Sequence, residues 1–218
     1  MKIKFYGHSA FMLRTDAGVR IITDPYQSGA FGGALSYGKI IDEADIVLSS
    51  HDHDDHNYIK DIKGKFTYIT KAGTYNVGGL KIKAISSHHD SSKGKDRGNN
   101  LIFLVDADGL IIMHAGDLGH TLEKEAVEEI GKVDILLIPV GGFYTIDALE
   151  ATKIMTDLKP AVTIPMHFKT DKCTFPISDV EEFIGGKKNV KRAKTSEIEI
   201  KKESLPKEHE IIVLEYAL

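Results

Sequence analysis

Tryptophan is missing from this chain of 218 residues, and cysteine and glutamine occur once each. The single thiol, Cys173, excludes an internal disulfide framework and is compatible with a reducing compartment. No stretch comes near the about 18 uninterrupted apolar residues that a membrane-spanning helix needs. The N-terminal Met1-Lys2-Ile3-Lys4-Phe5-Tyr6 alternates as a strand does and has no apolar core of signal-peptide length, so a cytoplasmic protein is expected. Repeats, low-complexity tracts and linkers are also lacking, and residues 1–218 read as a single domain able to bury a sizeable core without staples. Positive charge is not in excess. The formal net charge of -4 gives no general attraction to phosphate backbones, which disfavours nucleic acid as the main partner. Arginine is scarce beside lysine, a bias shared with heat-adapted proteins. What remains, 42% hydrophobic and 28% charged, is the composition of an ordinary globular chain.

The first fifty residues read as strands at Lys2-Tyr6, Phe11-Arg14 and Val19-Thr23, then a glycine-rich irregular stretch to Gly38 and a buried strand at Ile46-Ser50. A short helical piece is predicted around Asn57-Ile62. Strands follow at Phe66-Thr70, Thr74-Val77 and Leu80-Ser87, and Leu101-Val105 pairs with Leu110-His114 around Ala107-Asp108-Gly109. Helices are predicted at Thr121-Ile130 and Asp147-Leu158, and Ser178-x-x-Glu181 has the form of a capping box for a third. Strands at Ala161-Pro165 and Ile211-Tyr216 complete the pattern. Helices packed outside a pair of sheets account for this order better than one all-parallel sheet.

Directly after the apolar run Ile46-Val47-Leu48 come six metal-capable side chains in succession, His51-Asp52-His53-Asp54-Asp55-His56. Imidazoles and carboxylates crowded in this way pack badly and titrate against one another unless a cation gathers them. Read as His51-x-His53-x-Asp55-His56, the loop can aim His51 and His53 at one metal and Asp55 and His56 at a second. Asp52 and Asp54 are then expected to face solvent or the loop's own amides. Further potential ligands recur where predicted strands end, at His88-His89, Asp117 and His167, which is how a rigid scaffold gathers distant side chains on one rim.

These residues, with Gly7-His8-Ser9, Ile22-Thr23-Asp24-Pro25, His114-Ala115-Gly116-Asp117 and Ile164-Pro165-Met166-His167, resemble the metallo-beta-lactamase fold superfamily of metal-dependent hydrolases. The similarity is to its small single-domain branch, which includes ascorbate-6-phosphate lactonase-like proteins. The resemblance implies an α/β, four-layer αββα sandwich with mixed sheets, helices on the outer faces and two metals at one edge. It implies that His51, His53 and a later histidine hold one divalent ion, that Asp55, His56 and His167 hold the other, and that Asp117 bridges them. Adjacent residues on a strand face opposite ways, so one of His88 and His89 serves. The family's histidine-x-Ser-Ser, similar to His89-Asp90-Ser91-Ser92, selects His89. Zinc suits the imidazole-rich set, with manganese or iron as alternatives. By the same resemblance, a metal-bridging hydroxide attacks a carbonyl or phosphoryl centre, with Asp117 and Asp55 as catalytic carboxylates.

Other residues have two readings each. Asp24 orients the histidine loop or serves a turn, and His120 gives a proton to the leaving group or caps a helix. Lys93, Lys95 and Arg97 receive an anionic group or merely line a solvated loop, and His8 and Tyr144 line the pocket or pack. Cys173 has no paired base and is not expected to be a nucleophile. The function expected is a dinuclear hydrolase of a small anionic ester, lactone or phosphodiester. The alternatives are a metal-dependent nuclease or RNA-processing enzyme, a di-iron redox protein and a non-catalytic scaffold on the same fold.

Overall fold

The computed structural model describes residues 1–218. Strands β1 (Lys2–Gly7), β2 (Ala10–Arg14) and β3 (Arg20–Thr23) form an antiparallel meander, and β4 (Ile46–Leu48) and β5 (Thr67–Ile69) extend it in parallel. Between β3 and β4 lies a single distorted turn, α1 (Ala30–Gly33), with Phe31 and Gly32 left-handed. The second sheet begins with the antiparallel strands β6 (Gly73–Val77), β7 (Leu80–His88), β8 (Asn99–Ala107) and β9 (Leu110–His114). It continues through α2 (Lys124–Ile130), β10 (Ile135–Pro139), α3 (Ala148–Leu158), β11 (Val162–Met166) and α4 (Val180–Ile184), with β10 parallel to both β9 and β11. Three short strands finish the chain, β12 (Val190–Arg192), β13 (Glu197–Glu199) and β14 (Glu210–Val213). The orders are β13-β1-β2-β3-β4-β5 in one sheet and β12-β14-β11-β10-β9-β8-β7-β6 in the other.

Strand alternation explains how the sheets stack. Ile3, Phe5, Phe11, Leu13, Ile21, Ile46 and Leu48 join the larger buried cluster with the second sheet, whereas Tyr6, Met12, Ile22 and Val47 belong to a smaller one on the opposite face. The expected sandwich of two mixed sheets is present, with unequal outer layers. Ala148, Ala151, Ile154 and Leu158 of α3 and Val180, Phe183 and Ile184 of α4 pack into the larger cluster. The smaller cluster is covered mainly by irregular chain, including Tyr26, Leu35, Tyr37, Ile40, Phe175 and Ile177. No helix is long and apolar enough to cross a membrane.

Two local expectations are corrected. No helix forms over Asn57-Ile62: the Tyr58 amide is drawn away to Pro25 O at 2.7 Å, and the one backbone bond inside the stretch is the Ile62 amide to Ile59 O at 3.2 Å. At α4 the cap is Asp179, whose carboxylate accepts the Glu181 amide, rather than Ser178. The α3 cap follows the expected start, with Asp147 and Glu150 forming a reciprocal box.

Candidate metal centre

Strand ends deliver the polar cluster. The short strand β4 runs into Ser49-Ser50-His51, and the loop is tied to the opposite sheet where the Leu101 amide donates to Ser50 O at 2.9 Å. β7 ends at His88, and the His89 amide donates to Gly98 O at 3.0 Å. β9 leads to Asp117 and β11 to His167, and β10 aligns the two ends through Leu137↔His114 and Pro139↔Met166. The His167 amide donates to His8 O at 2.8 Å, which joins the turn after β1 to the same end.

Asp117 Oδ2 is the point on which the imidazoles converge. His56 Nε2 lies 3.1 Å from it, His89 Nε2 and His167 Nε2 3.3 Å, and His51 Nε2 4.0 Å. Three groups have ligand atoms within 4.8 Å of one another: His51, His53 and His89; His8, Asp55, His56 and His167; and His51, His56 and Asp117, which link the first two. His51 Nε2, His56 Nε2, Asp55 Oδ1 and Asp117 Oδ1 are buried and have no hydrogen-bond partner. Stranding four such atoms in one place is costly in a folded protein, and cations at the two groups would satisfy them. The donor set therefore fits a pair of divalent metals.

Asp24 is fully buried beneath this cluster and organises it. Its carboxylate accepts the Ser50 amide at 2.7 Å, the Ser50 hydroxyl at 2.7 Å and His56 Nδ1 at 2.8 Å. The Ser50 hydroxyl donates its hydrogen to Asp24, so His51 Nδ1, 2.8 Å away, donates to Ser50 Oγ. Both imidazoles are thereby anchored through Nδ1, leaving Nε2 for the metal side. Burial works to raise the Asp24 pKa, but His114, His56 and His51 outweigh it and hold the carboxyl below its ordinary value. Burial likewise lowers His51 to about 3 and His8 to about 4, which favours the neutral imidazole at both; His51 keeps Nε2 open, whereas His8 Nε2 is engaged by Asp55. His56 goes the other way. Burial opposes its charge, yet Asp117, Asp55 and Asp24 raise its pKa well above the usual value.

A cavity of about 470 Å³ opens over the cluster, lined among others by His53, Asp55, His89, Asp117 and His167. Asp52 and Asp54 are exposed and line its mouth, with Asp52 accepting from Asn57 Nδ2. Of the tentative substrate residues, Arg97 and Tyr144 reach the cavity, whereas the exposed Lys93 is not part of its lining. His8 goes further than a pocket wall: its Nε2 lies 3.1 Å from Asp55 Oδ2, and its ring stands 4.2 Å from that of His167. His120 is not brought to the cavity. Its Nε2 accepts the His88 amide at 3.3 Å and its Nδ1 donates to Thr121 O at 2.8 Å, so neither nitrogen is available for a leaving group. His88 lies beside it, the rings 5.7 Å apart, and is outside the three ligand groups.

Some functional positions escaped the sequence reading. Asn100 is buried and fixes the Asp117 loop, its Oδ1 accepting the Asp117 amide at 2.9 Å while its Nδ2 donates to Ser87 Oγ at 2.8 Å and Ala115 O at 2.9 Å. The signal was a polar residue entering the apolar run Leu101-Val105. Phe31 and Phe175 also line the cavity, and an aromatic set among Gly29, Gly32 and Gly33 was the available hint for Phe31. Gly119 is required by close approach: a Cβ there would lie 2.2 Å from His89 C and 2.3 Å from Asp90 N. Gly119→Ala is expected to cost at least about 2 kcal/mol in thermal unfolding and to lower metal content by moving His89. An alanine variant with wild-type stability and metal content would show that the two backbones part freely.

Two mixed sheets stacked face to face, with histidines and carboxylates gathered where strands end, define a metallo-beta-lactamase fold, and residues 2–167 match the family model described as the Beta-lactamase superfamily domain. A UPF0173 metal-dependent hydrolase of Carboxydothermus hydrogenoformans is 32% identical over 84% of this chain and 90% of its own length. One from Thermococcus onnurineus is 33% identical over 91% and 98%. A crystal structure from Thermotoga maritima, assigned to the metallo-beta-lactamase superfamily, superposes with a TM-score of 0.82 at 35% identity, covering 98% of this chain and 97% of that one. The chain belongs to the beta-lactamase superfamily and, within it, to the UPF0173 family.

Proposed function

We propose that the chain is a metal-dependent hydrolase with a dinuclear centre, acting as one domain over residues 1–218 on a small-molecule ester, lactone or phosphodiester. The observation that carries this reading is the convergence of buried, unpartnered ligand atoms from separate strand ends on the two sides of Asp117. The descriptions of the relatives as metal-dependent hydrolases support it. His51, His53 and His89 would hold one ion and Asp55, His56 and His167 the other, with Asp117 shared. Zinc suits these donors best, and manganese or iron are accepted by the same ligand types. When bound, the ions supply Lewis acidity at the scissile group and a nucleophile at neutral pH.

The protein's own contribution is placement. Asp24 and Ser50 fix the imidazoles of His51 and His56, and His8 steadies Asp55 from behind. Asp55 Oδ1 and Asp117 Oδ1, free of hydrogen bonds, are the carboxylate oxygens left open to the ions. His120, with both nitrogens engaged by backbone, has no part in it. The rim carboxylates Asp52, Asp54 and Asp96 oppose the approach of a polyphosphate strand and favour a small substrate over nucleic acid.

Elemental analysis of the purified protein is expected to find two divalent ions per chain, with chelation abolishing turnover on a panel of esters, lactones and phosphodiesters and added zinc restoring it. Since Asp117, Asp55 and Asp24 raise the His56 pKa against the effect of burial, an ion taking its Nε2 competes with a proton, and binding should strengthen as pH rises with release of that proton. Titration calorimetry in buffers of different ionisation enthalpy measures that proton. Full turnover by protein carrying no bound ion would overturn the reading.

A further inference from the structure

Phe31 and Phe143 are 54% and 63% exposed, and both have left-handed backbone, with φ of 54° and 60°. A non-glycine residue there costs about 1–2 kcal/mol, and an aromatic left in water forfeits the stabilisation of burial. Each residue thus combines a strained backbone with an exposed ring, and strain of this kind collects at sites that bind something else. The two rings are nonetheless part of an ordered surface. Phe31 meets Phe175 edge-on at 5.3 Å, Phe175 meets Tyr144 at 5.7 Å, and Tyr144 meets Phe143 at 4.8 Å. Phe175 also touches His8 edge-on at 5.7 Å, so the shelf runs directly to the ligand cluster.

Arg97 ends this shelf, its guanidinium 5.7 Å from the centre of the Tyr144 ring. Its side chain makes no ion pair and no hydrogen bond, although Asp52, Asp54 and Asp96 line the same cavity. The loop that carries it is not slack. Buried Asp90 accepts the amides of Ser92, Gly94 and Arg97 at 2.8 Å and of Asp96 at 3.0 Å, and also the Ser92 hydroxyl at 2.8 Å. A guanidinium carried on a loop whose backbone is fixed in this way, resting on an aromatic ring and paired with no carboxylate, is prepared for an external anion.

We infer that the aromatic shelf and Arg97 together receive the non-reacting part of the substrate, which is an apolar aryl or acyl group flanked by one singly charged anionic group, carboxylate or phosphodiester. This rests on the hydrolase reading above and specifies its substrate class. A single charge is accommodated by Arg97, whereas further negative charges meet the rim carboxylates. Asp90 is a positioning residue, acting only through the loop.

The test is binding to the metal-loaded protein by titration calorimetry, with 2-naphthoate and diphenyl phosphate as singly charged aryl probes, 2-naphthalenemethanol as a neutral one and inorganic phosphate as charge without an apolar group. Phe31→Ala is expected to weaken all three aryl probes by about fivefold. Arg97→Met should weaken the two aryl anions by about tenfold or more and leave the neutral probe within about twofold. Asp90→Asn, which keeps the shape but can no longer accept at both oxygens, should repeat the Arg97→Met pattern in weaker form. Equal binding of all probes by wild type, Phe31→Ala and Arg97→Met would overturn the inference, as would inorganic phosphate binding as tightly as the aryl anions. Loss of naphthoate binding on metal removal with no effect of Arg97→Met would also overturn it. Binding as described without turnover of any ester, lactone or phosphodiester would instead sink the hydrolase reading alone.

Discussion

Asp117→Ala is expected to lower kcat/KM by about a thousandfold, equivalent to about 4 kcal/mol of lost transition-state stabilisation, and to reduce bound metal below two ions per chain. The expectation follows from position. Four imidazoles approach one carboxylate oxygen, three of them within 3.3 Å, and no other acid lies between the two ligand groups. Its pKa sits well below the ordinary carboxylate range: burial works to raise it, and His167 and His56 overcome that effect. The residue is therefore a permanent negative charge at the place where two cations would otherwise repel each other. The loop itself is held by Asn100 and Ala115 rather than by the Asp117 side chain, so the circular dichroism spectrum should be retained. A metal-saturated Asp117→Ala protein turning over at the wild-type rate would remove the bridging role.

Asp24→Ala is expected to destabilise the metal-free protein by about 3–5 kcal/mol in urea unfolding and to weaken metal binding by about 10- to 100-fold in competition with a chelator. The alanine strands the Ser50 amide, the Ser50 hydroxyl and His56 Nδ1 in a place water does not reach. Both consequences arise from one carboxylate, since the groups it satisfies are also those that fix the orientation of His51 and His56. Asp24→Asn keeps one acceptor and should lose less of each. An unchanged urea midpoint for the alanine variant would mean that those donors find other partners.

What could be read from the chain alone was set by distance. Strands such as β4 and β11 announce themselves locally, and a ligand that directly follows a strand inherits its direction, so His51 and His167 were legible. His8 was harder, because its nearness to Asp55 depends on a left-handed turn 47 residues away in sequence. His120 stood close to Asp117 in sequence, but the chain turns its ring toward the backbone of His88 and Thr121. The helix expected at Asn57-Ile62 failed for a related reason: the Tyr58 amide serves Pro25, distant in sequence. Nor could periodicity reveal that the outer face of the first sheet is covered chiefly by irregular chain, whose packing depends on contacts between residues as distant as Leu35 and Cys173.

That covering also governs how a guest enters. The stretch bearing Phe31 is stitched down by the Ser36 amide to Lys172 O at 2.8 Å and the Thr174 amide to Ala34 O at 2.9 Å, and Leu35 and Tyr37 beneath it are wholly buried. Swinging it aside would wet the tyrosines and aliphatic side chains of the smaller cluster, at about 25 cal/mol for each Å² exposed. A flap that doubles as floorboard does not hinge. Passage to the ligand cluster is by a standing doorway, and a change of preferred guest is reached by exchanging the side chains of its frame rather than by altering the rhythm of a gate.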